Sequence, residues 1–178
     1  PHRDIEGITY VVAGQFEHAD SLGNDGVLEP GGVQRMTLGA GAWHSERNHS
    51  TTEPMEFIQM WVLPSRRGLP PPAVEQRQYT AADRHNRLLR IVRPEGEEGE
   101  GVRVHQAVSI YAARLDPGVT LTHHIGAGRG GYFYLIRGAL ALNDAQLQTG
   151  DAAKLLSGGV VRMRALDTSE LLLVDTPL

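Results

Sequence analysis

Short runs of apolar and β-branched residues follow one another along the whole chain, and glycine, proline, asparagine or aspartate interrupts nearly every one. Runs of that length bounded by turn-formers predict strands rather than helices. In the first half the predicted strands cover 7–13, 15–18, 33–38, 42–45 and 55–63. In the second half they cover 104–115, 120–123, 132–136, 139–142, 152–155, 160–165 and 170–174. Asn24-Asp25-Gly26 and Pro30-Gly31-Gly32 are tight-turn sequences. Residues 81–88 read as a short helical turn. The stretch Leu63-Pro64-Ser65-Arg66-Arg67-Gly68-Leu69-Pro70-Pro71-Pro72 reads as an extended connector, because proline fixes φ and removes a donor. Residues 94–101 place four glutamates among three glycines, a solvated loop.

Two segments share a pattern. Gly7-Ile8-Thr9-Tyr10-Val11-Val12-Ala13-Gly14 matches Gly131-Tyr132-Phe133-Tyr134-Leu135-Ile136-Arg137-Gly138 in its glycines, its tyrosine and the aliphatic pair that follows. Each is followed by a polar turn and then by a second strand start, Gly31-Gly32-Val33-Gln34-Arg35-Met36 in one copy and Gly150-Asp151-Ala152-Ala153-Lys154-Leu155 in the other. Two blocks in the same order predict two related domains. The expected architecture is all-β: two antiparallel β-barrels, 1–78 with the connector and 79–178.

Composition narrows the function. The 178 residues include 21 glycines and 10 prolines, which favours strands and turns over helices. The formal net charge is −4 and no basic stripe is present, so nucleic acid is not an expected direct partner. No apolar run approaches the roughly eighteen residues of a membrane span, so no membrane partner is expected. Cysteine is absent, which excludes disulfides and thiolate chemistry and fits a cytoplasmic address.

The candidate chemistry lies in the first copy. His44 and Glu46 stand two residues apart in a glycine-bounded segment, and on a strand they share a face. His2 precedes the first strand. Counting along the repeat gives Gly126 and Met163 as the counterparts of His2 and His44, and neither of those can bind a metal in the same way. His123 and His124 have no carboxylate at matching spacing. His18, His49, His85 and His105 lack the glycine frame and read as structural or exposed. Two histidines and one glutamate are the minimum set for a non-haem Fe(II)-type site, and imidazole also suits nickel, copper, manganese, cobalt and zinc. Trp43, Met55, Phe57, Met60 and Trp61 are candidates to line an apolar pocket, although filling the barrel core is the simpler role.

These residues resemble a known family. Gly41-Ala42-Trp43-His44-Ser45-Glu46-Arg47-Asn48 resembles the second cupin motif, and Pro1-His2-Arg3-Asp4-Ile5-Glu6 resembles the tail of the first. Taken with Asp20-Ser21-Leu22-Gly23-Asn24 and Pro30-Gly31-Gly32-Val33-Gln34-Arg35-Met36, the set resembles the pirin family, nearest its bacterial members with quercetin 2,3-dioxygenase activity. Val104-His105-Gln106 and Tyr111-Ala112-Ala113-Arg114-Leu115 extend the likeness into the second half. The resemblance implies a bicupin with one divalent transition metal in the N-terminal cupin, iron foremost. Carried over residue by residue, it makes His2, His44 and Glu46 the ligands. The family's fourth ligand falls one residue before Pro1, so the first barrel is expected to lack its opening strands. Gly39 stands where the general cupin motif has proline. Glu6 matches the general motif's glutamate, but Glu46 takes the ligand role in pirin-like proteins, which leaves Glu6 a supporting or structural part.

The activity implied is cleavage of a flavonol by O2, with Glu46 accepting the hydroxyl proton and the ring opening with loss of carbon monoxide. Two rivals are a non-enzymatic metalloprotein acting in regulation through protein contacts, and an inert scaffold.

Overall fold

The computed structural model describes residues 4–39, 41 and 43–178. Its strands are β1 (Glu6–Ala13), β2 (Phe16–Asp20), β3 (Asp25–Leu28), β4 (Val33–Thr37), β5 (His44–Asn48), β6 (Glu56–Val62), β7 (Ala73–Arg77), β8 (Leu89–Pro94) and β9 (Val102–Val104). The chain continues with β10 (Ser109–Leu115), β11 (Thr120–Ile125), β12 (Arg129–Arg137), β13 (Ala139–Leu142), β14 (Ala145–Gln148), β15 (Ala152–Leu155), β16 (Gly159–Ala165) and β17 (Ser169–Pro177). Among the described residues the only helical element is one 3-10 turn, Ala82–Arg84, within the predicted 81–88. No described helix is long and apolar enough to cross a membrane.

Two compact units form, Pro1–Ala81 with Pro94–Gln106, and Ala82–Arg93 with Ala107–Leu178. In the first, a sheet ordered β6-β1-β4-β7 accompanies a smaller one ordered β3-β2-β5. In the second, a sheet containing the order β15-β12-β17-β10-β8 accompanies one ordered β11-β16-β13-β14. This is the all-β, two-domain architecture expected from the repeat, with the cupin-type domains that the resemblance implies.

The repeat is exact at the level of pairing. β1 lies between β4 and β6, and β12 lies between β15 and β17. The ladder shifts register between Val11 and Ala13 in the first copy and between Leu135 and Arg137 in the second, the same place in each motif. A bulge there bends the strand out of one sheet and into the next. Gly14 and Gly138 follow at φ +73° and +97°. A Cβ on either would come within 2.3 Å of a carbonyl oxygen, of Pro54 or of Thr168. Only glycine allows both that backbone conformation and that approach.

Several strands were not expected. β3 begins inside the predicted turn Asn24-Asp25-Gly26. The turn is made earlier, by Asp20, whose Oδ1 accepts from the backbone N–H groups of Leu22 at 2.8 Å and Asn24 at 3.0 Å. β7 starts as soon as the prolines end. The predicted 104–115 is broken into β9 and β10, and β8 and β14 are additional.

The faces of β1 are used differently. Glu6, on the face opposite Thr9, is fully buried. It accepts from the Thr37 hydroxyl at 2.7 Å, from the His105 backbone N–H at 2.7 Å and from His105 Nδ1 at 2.8 Å. Glu6 is therefore a structural tie within the first unit. Beside it a cavity of about 260 Å³ is lined by Arg35, Thr37, Glu95, Arg103 and His105 among others.

The shared glycine is testable. Gly118 also has positive φ (+85°), but a Cβ there meets nothing within 4 Å. Gly118→Ala should cost about 1–2 kcal/mol, the price of the left-handed conformation alone. Gly138→Ala should cost clearly more in urea denaturation, because Thr168 backbone must move as well.

Candidate functional site

The inner face of the first unit is polar at its centre. β2 and β5 are antiparallel, with His18 opposite Glu46 and Asp20 opposite His44. Alternation along β5 turns His44 and Glu46 to one side, both half-buried, and Ser45 and Arg47 to the other, both exposed. The predicted sharing of a face by His44 and Glu46 is thus observed. His2 lies outside the described residues, so its place is not part of this geometry.

The structure adds residues that the sequence reading left out. His18 is fully buried, and its ring lies over that of His44 with centroids 6.0 Å apart and planes at 29°. Gln59 on β6 donates to Glu46 Oε2 at 2.9 Å, and Gln34 Nε2 on β4 lies 3.5 Å from Glu46 Oε1. Thr9 on β1 pairs with Gln34 on one side and Gln59 on the other, so all three face the same way. Two neutral amides thereby hold the carboxylate without cancelling its charge. Asp20 bonds His18 Nε2 at 3.4 Å. Burial opposes the ionisation of Asp20, but hydrogen bonds from the Asn24 side chain and from the backbone of Asn24 and Leu22 outweigh it and hold the carboxyl below its ordinary range. His18 could have been found from the sequence by alternation, since it shares a strand face with Phe16.

The second unit shows what the same interior looks like without this chemistry. Pairing registers, anchored on Gly14 and Gly138, match Thr9 to Phe133, Gln34 to Ala153 and Gln59 to Leu173. They match His18 to Leu142, Glu46 to Met163 and, two residues earlier on the same strand, His44 to Val161. Counting along the sequence had put Met163 against His44; the ladder moves that match to Glu46. Six polar positions in one copy are apolar in the other, and their counterparts all belong to or pack on the hydrocarbon core of the second unit. Among the described residues of the first unit, Val11, Phe16 and Leu28 form a small buried cluster, with Met55 and Phe57 packed against it.

Of the expected pocket aromatics, Phe57 packs edge-on against Phe16 with centroids 5.2 Å apart. Trp43 and Trp61 are instead 71% and 44% exposed. Four other histidines are bound elsewhere: His49 to Glu17, His85 to Asp116, His105 to Glu6 and His123 to Asp175.

Two sequence-family models match the chain: Pirin over residues 1–62 and the quercetinase C-terminal cupin domain over residues 90–176. A protein of Escherichia coli K12 named quercetin 2,3-dioxygenase is 33% identical over 177 residues, covering 99% of this chain and 74% of that protein. The chain belongs to the pirin family. The crystal structure of YhhW from E. coli superposes with a TM-score of 0.90 at 32% identity, over 99% of this chain and 73% of that one. A second structure, of bacterial pirin YhhW in complex with nickel(II), gives 0.89 at 31% identity, over 99% and 74%. The chain thus spans about three quarters of the length of these pirin relatives.

The donor chemistry fits a divalent first-row ion in part. His44 and Glu46 offer one imidazole and one carboxylate on a common face. Among the described residues no group of three histidine, cysteine or acidic side chains is close enough to hold an ion. A third protein donor would have to come from outside them.

A polar interior should cost stability. In metal-free protein, Glu46→Met should change unfolding free energy by less than about 1 kcal/mol, or raise it. The mirror change Met163→Glu places an unpaired carboxylate in a sealed apolar core and should cost about 4 kcal/mol or more. Chemical denaturation of both variants reads the difference.

Proposed function

We propose that this chain carries the metal site of a quercetin 2,3-dioxygenase-like oxidoreductase, with chemistry in domain 1–78 and scaffolding in domain 79–178. The observation supporting this is the matched set of six inward positions, polar in one barrel and apolar in the other. A fold needs no such asymmetry. Polar groups kept inside a barrel at the expense of its core are better explained by a bound ion and substrate.

His2, His44 and Glu46 would hold one divalent transition metal. Iron is our first choice, with nickel, copper, manganese, cobalt or zinc as alternatives, and nickel draws support from the E. coli relative. When bound, such an ion supplies Lewis acidity toward a substrate oxygen. The rest falls to the chain. Glu46 accepts the proton of the flavonol hydroxyl, its two oxygens oriented by Gln59 and Gln34. Amide donors suit that task, since an arginine or lysine in their place would lower the carboxylate's basicity. The flavonolate left behind is electron-rich enough to react with O2, and the ring opens with release of carbon monoxide. A cytoplasmic location belongs to the same proposal and rests on the absence of cysteine.

Metal analysis followed by absorbance-monitored turnover of quercetin tests this reading. One equivalent of metal with flavonol loss supports it. Glu46→Gln should then weaken metal binding and lower kcat by about 10²–10⁴-fold, the usual contribution of a positioned base. Metal without turnover would favour a regulatory metalloprotein acting through protein contacts. No metal at all would leave a scaffold.

A further inference from the structure

One buried side chain of the polar interior is constrained from both ends. Gln34 is fully buried on β4. Its Oε1 accepts from Gln76 Nε2 on β7 at 2.8 Å. Its Nε2 is therefore turned the other way, 3.4 Å from His18 Nδ1 and 3.5 Å from Glu46 Oε1. A carboxamide nitrogen can only donate, so His18 Nδ1 has to accept. The ring proton then sits on Nε2, facing Asp20 Oδ2 at 3.4 Å. Asp20 is kept as an acceptor by Leu22 and Asn24. Every donor in the row Gln76, Gln34, His18 points the same way, and the row ends on Asp20. Room for it is made by Gly26, which pairs with His18 in the β2–β3 ladder. A Cβ there would stand 2.4 Å from Gln76 Oε1.

We propose that Gln34 is the positioning residue of this site, aiming one NH2 group at both Glu46 and His18 and so setting the carboxylate's orientation and the tautomer of the ring that stacks on His44. Gln59 holds the other carboxylate oxygen, and its Nε2 also lies 3.5 Å from Thr9 Oγ1. Gln34 is thus the point where the carboxylate and the imidazole are set together. A residue that fixes ring and carboxylate before an ion arrives lowers the reorganisation that binding demands. The effect on metal affinity rests on the reading of His44 and Glu46 as ligands; the effect on His18 does not.

The test uses the full chain, metal-free, with ¹⁵N-labelled histidine. Long-range ¹⁵N–¹H correlation spectra report which ring nitrogen carries the proton. The expected result is His18 as a single Nε2–H tautomer; an Nδ1–H ring or a mixture overturns the proposal. Gln34→Met keeps side-chain length and removes the donor. In that variant His18 should become a mixture of tautomers, and affinity for nickel(II), read by calorimetry, should fall about 10–100-fold. A folded Gln34→Met protein with the tautomer or the affinity unchanged overturns it. If Gln34→Met does not fold, Gln76→Met replaces it: freeing Oε1 should let the Gln34 amide turn and mix the tautomers, and a single Nε2–H form there overturns the proposal. Failure of the functional reading looks different. Then nickel(II) or quercetin gives no signal in the parent chain, while the tautomer result and its loss in Gln34→Met stand alone and decide.

Discussion

A polar group inside a small β-barrel is tolerated only if it finds a partner, and that constraint organises the first unit. The inward face of β1, β2, β4, β5 and β6 carries threonine, histidine, glutamine and glutamate where a barrel would ordinarily bury hydrocarbon. Each unpaired amide or carboxylate there would cost on the order of 1–3 kcal/mol. The ladder registers prevent that. By setting His18 opposite Glu46 and placing Gln34 and Gln59 on either side of Thr9, they bring donors onto both oxygens of one carboxylate. The site is therefore a property of strand pairing more than of any one motif.

The second unit serves as an internal control. It repeats the bulge, the positive-φ glycine and the pairing order, and fills the same inward positions with Phe133, Leu142, Ala153, Val161, Met163 and Leu173. One barrel is packed with hydrocarbon and the other keeps a polar interior.

Much of the fold was legible in the sequence. Glycine-bounded aliphatic runs located β1 and β12, and the second block of the repeat located β4 and β15. β3 was hidden because Asn24-Asp25-Gly26 is a good turn sequence, while the real turn is set by the Asp20 carboxylate accepting two backbone N–H groups. The face shared by His44 and Glu46 was legible in their spacing. His18, read as structural or exposed for its lack of flanking glycines, is buried opposite Glu46 on the face it shares with Phe16. Gln34, Gln59 and Gln76 were not legible at all. Glutamine has no spacing signature, and these three matter only through registers between strands distant in sequence. The match of Met163 to Glu46 was obscured for the same reason: the connection from β4 to β5 differs in length from that between β15 and β16.

The central claim is that an ion belongs in one barrel and not the other. Paramagnetic broadening tests it most directly. Manganese(II) titrated into ¹⁵N-labelled protein should erase backbone amide signals around His18, Gln34, His44, Glu46 and Gln59 at substoichiometric metal, and leave those of Leu142, Ala153, Val161, Met163 and Leu173 sharp. Broadening centred on the second set, or none above that of exposed carboxylates such as Asp116 in either barrel, would contradict the account.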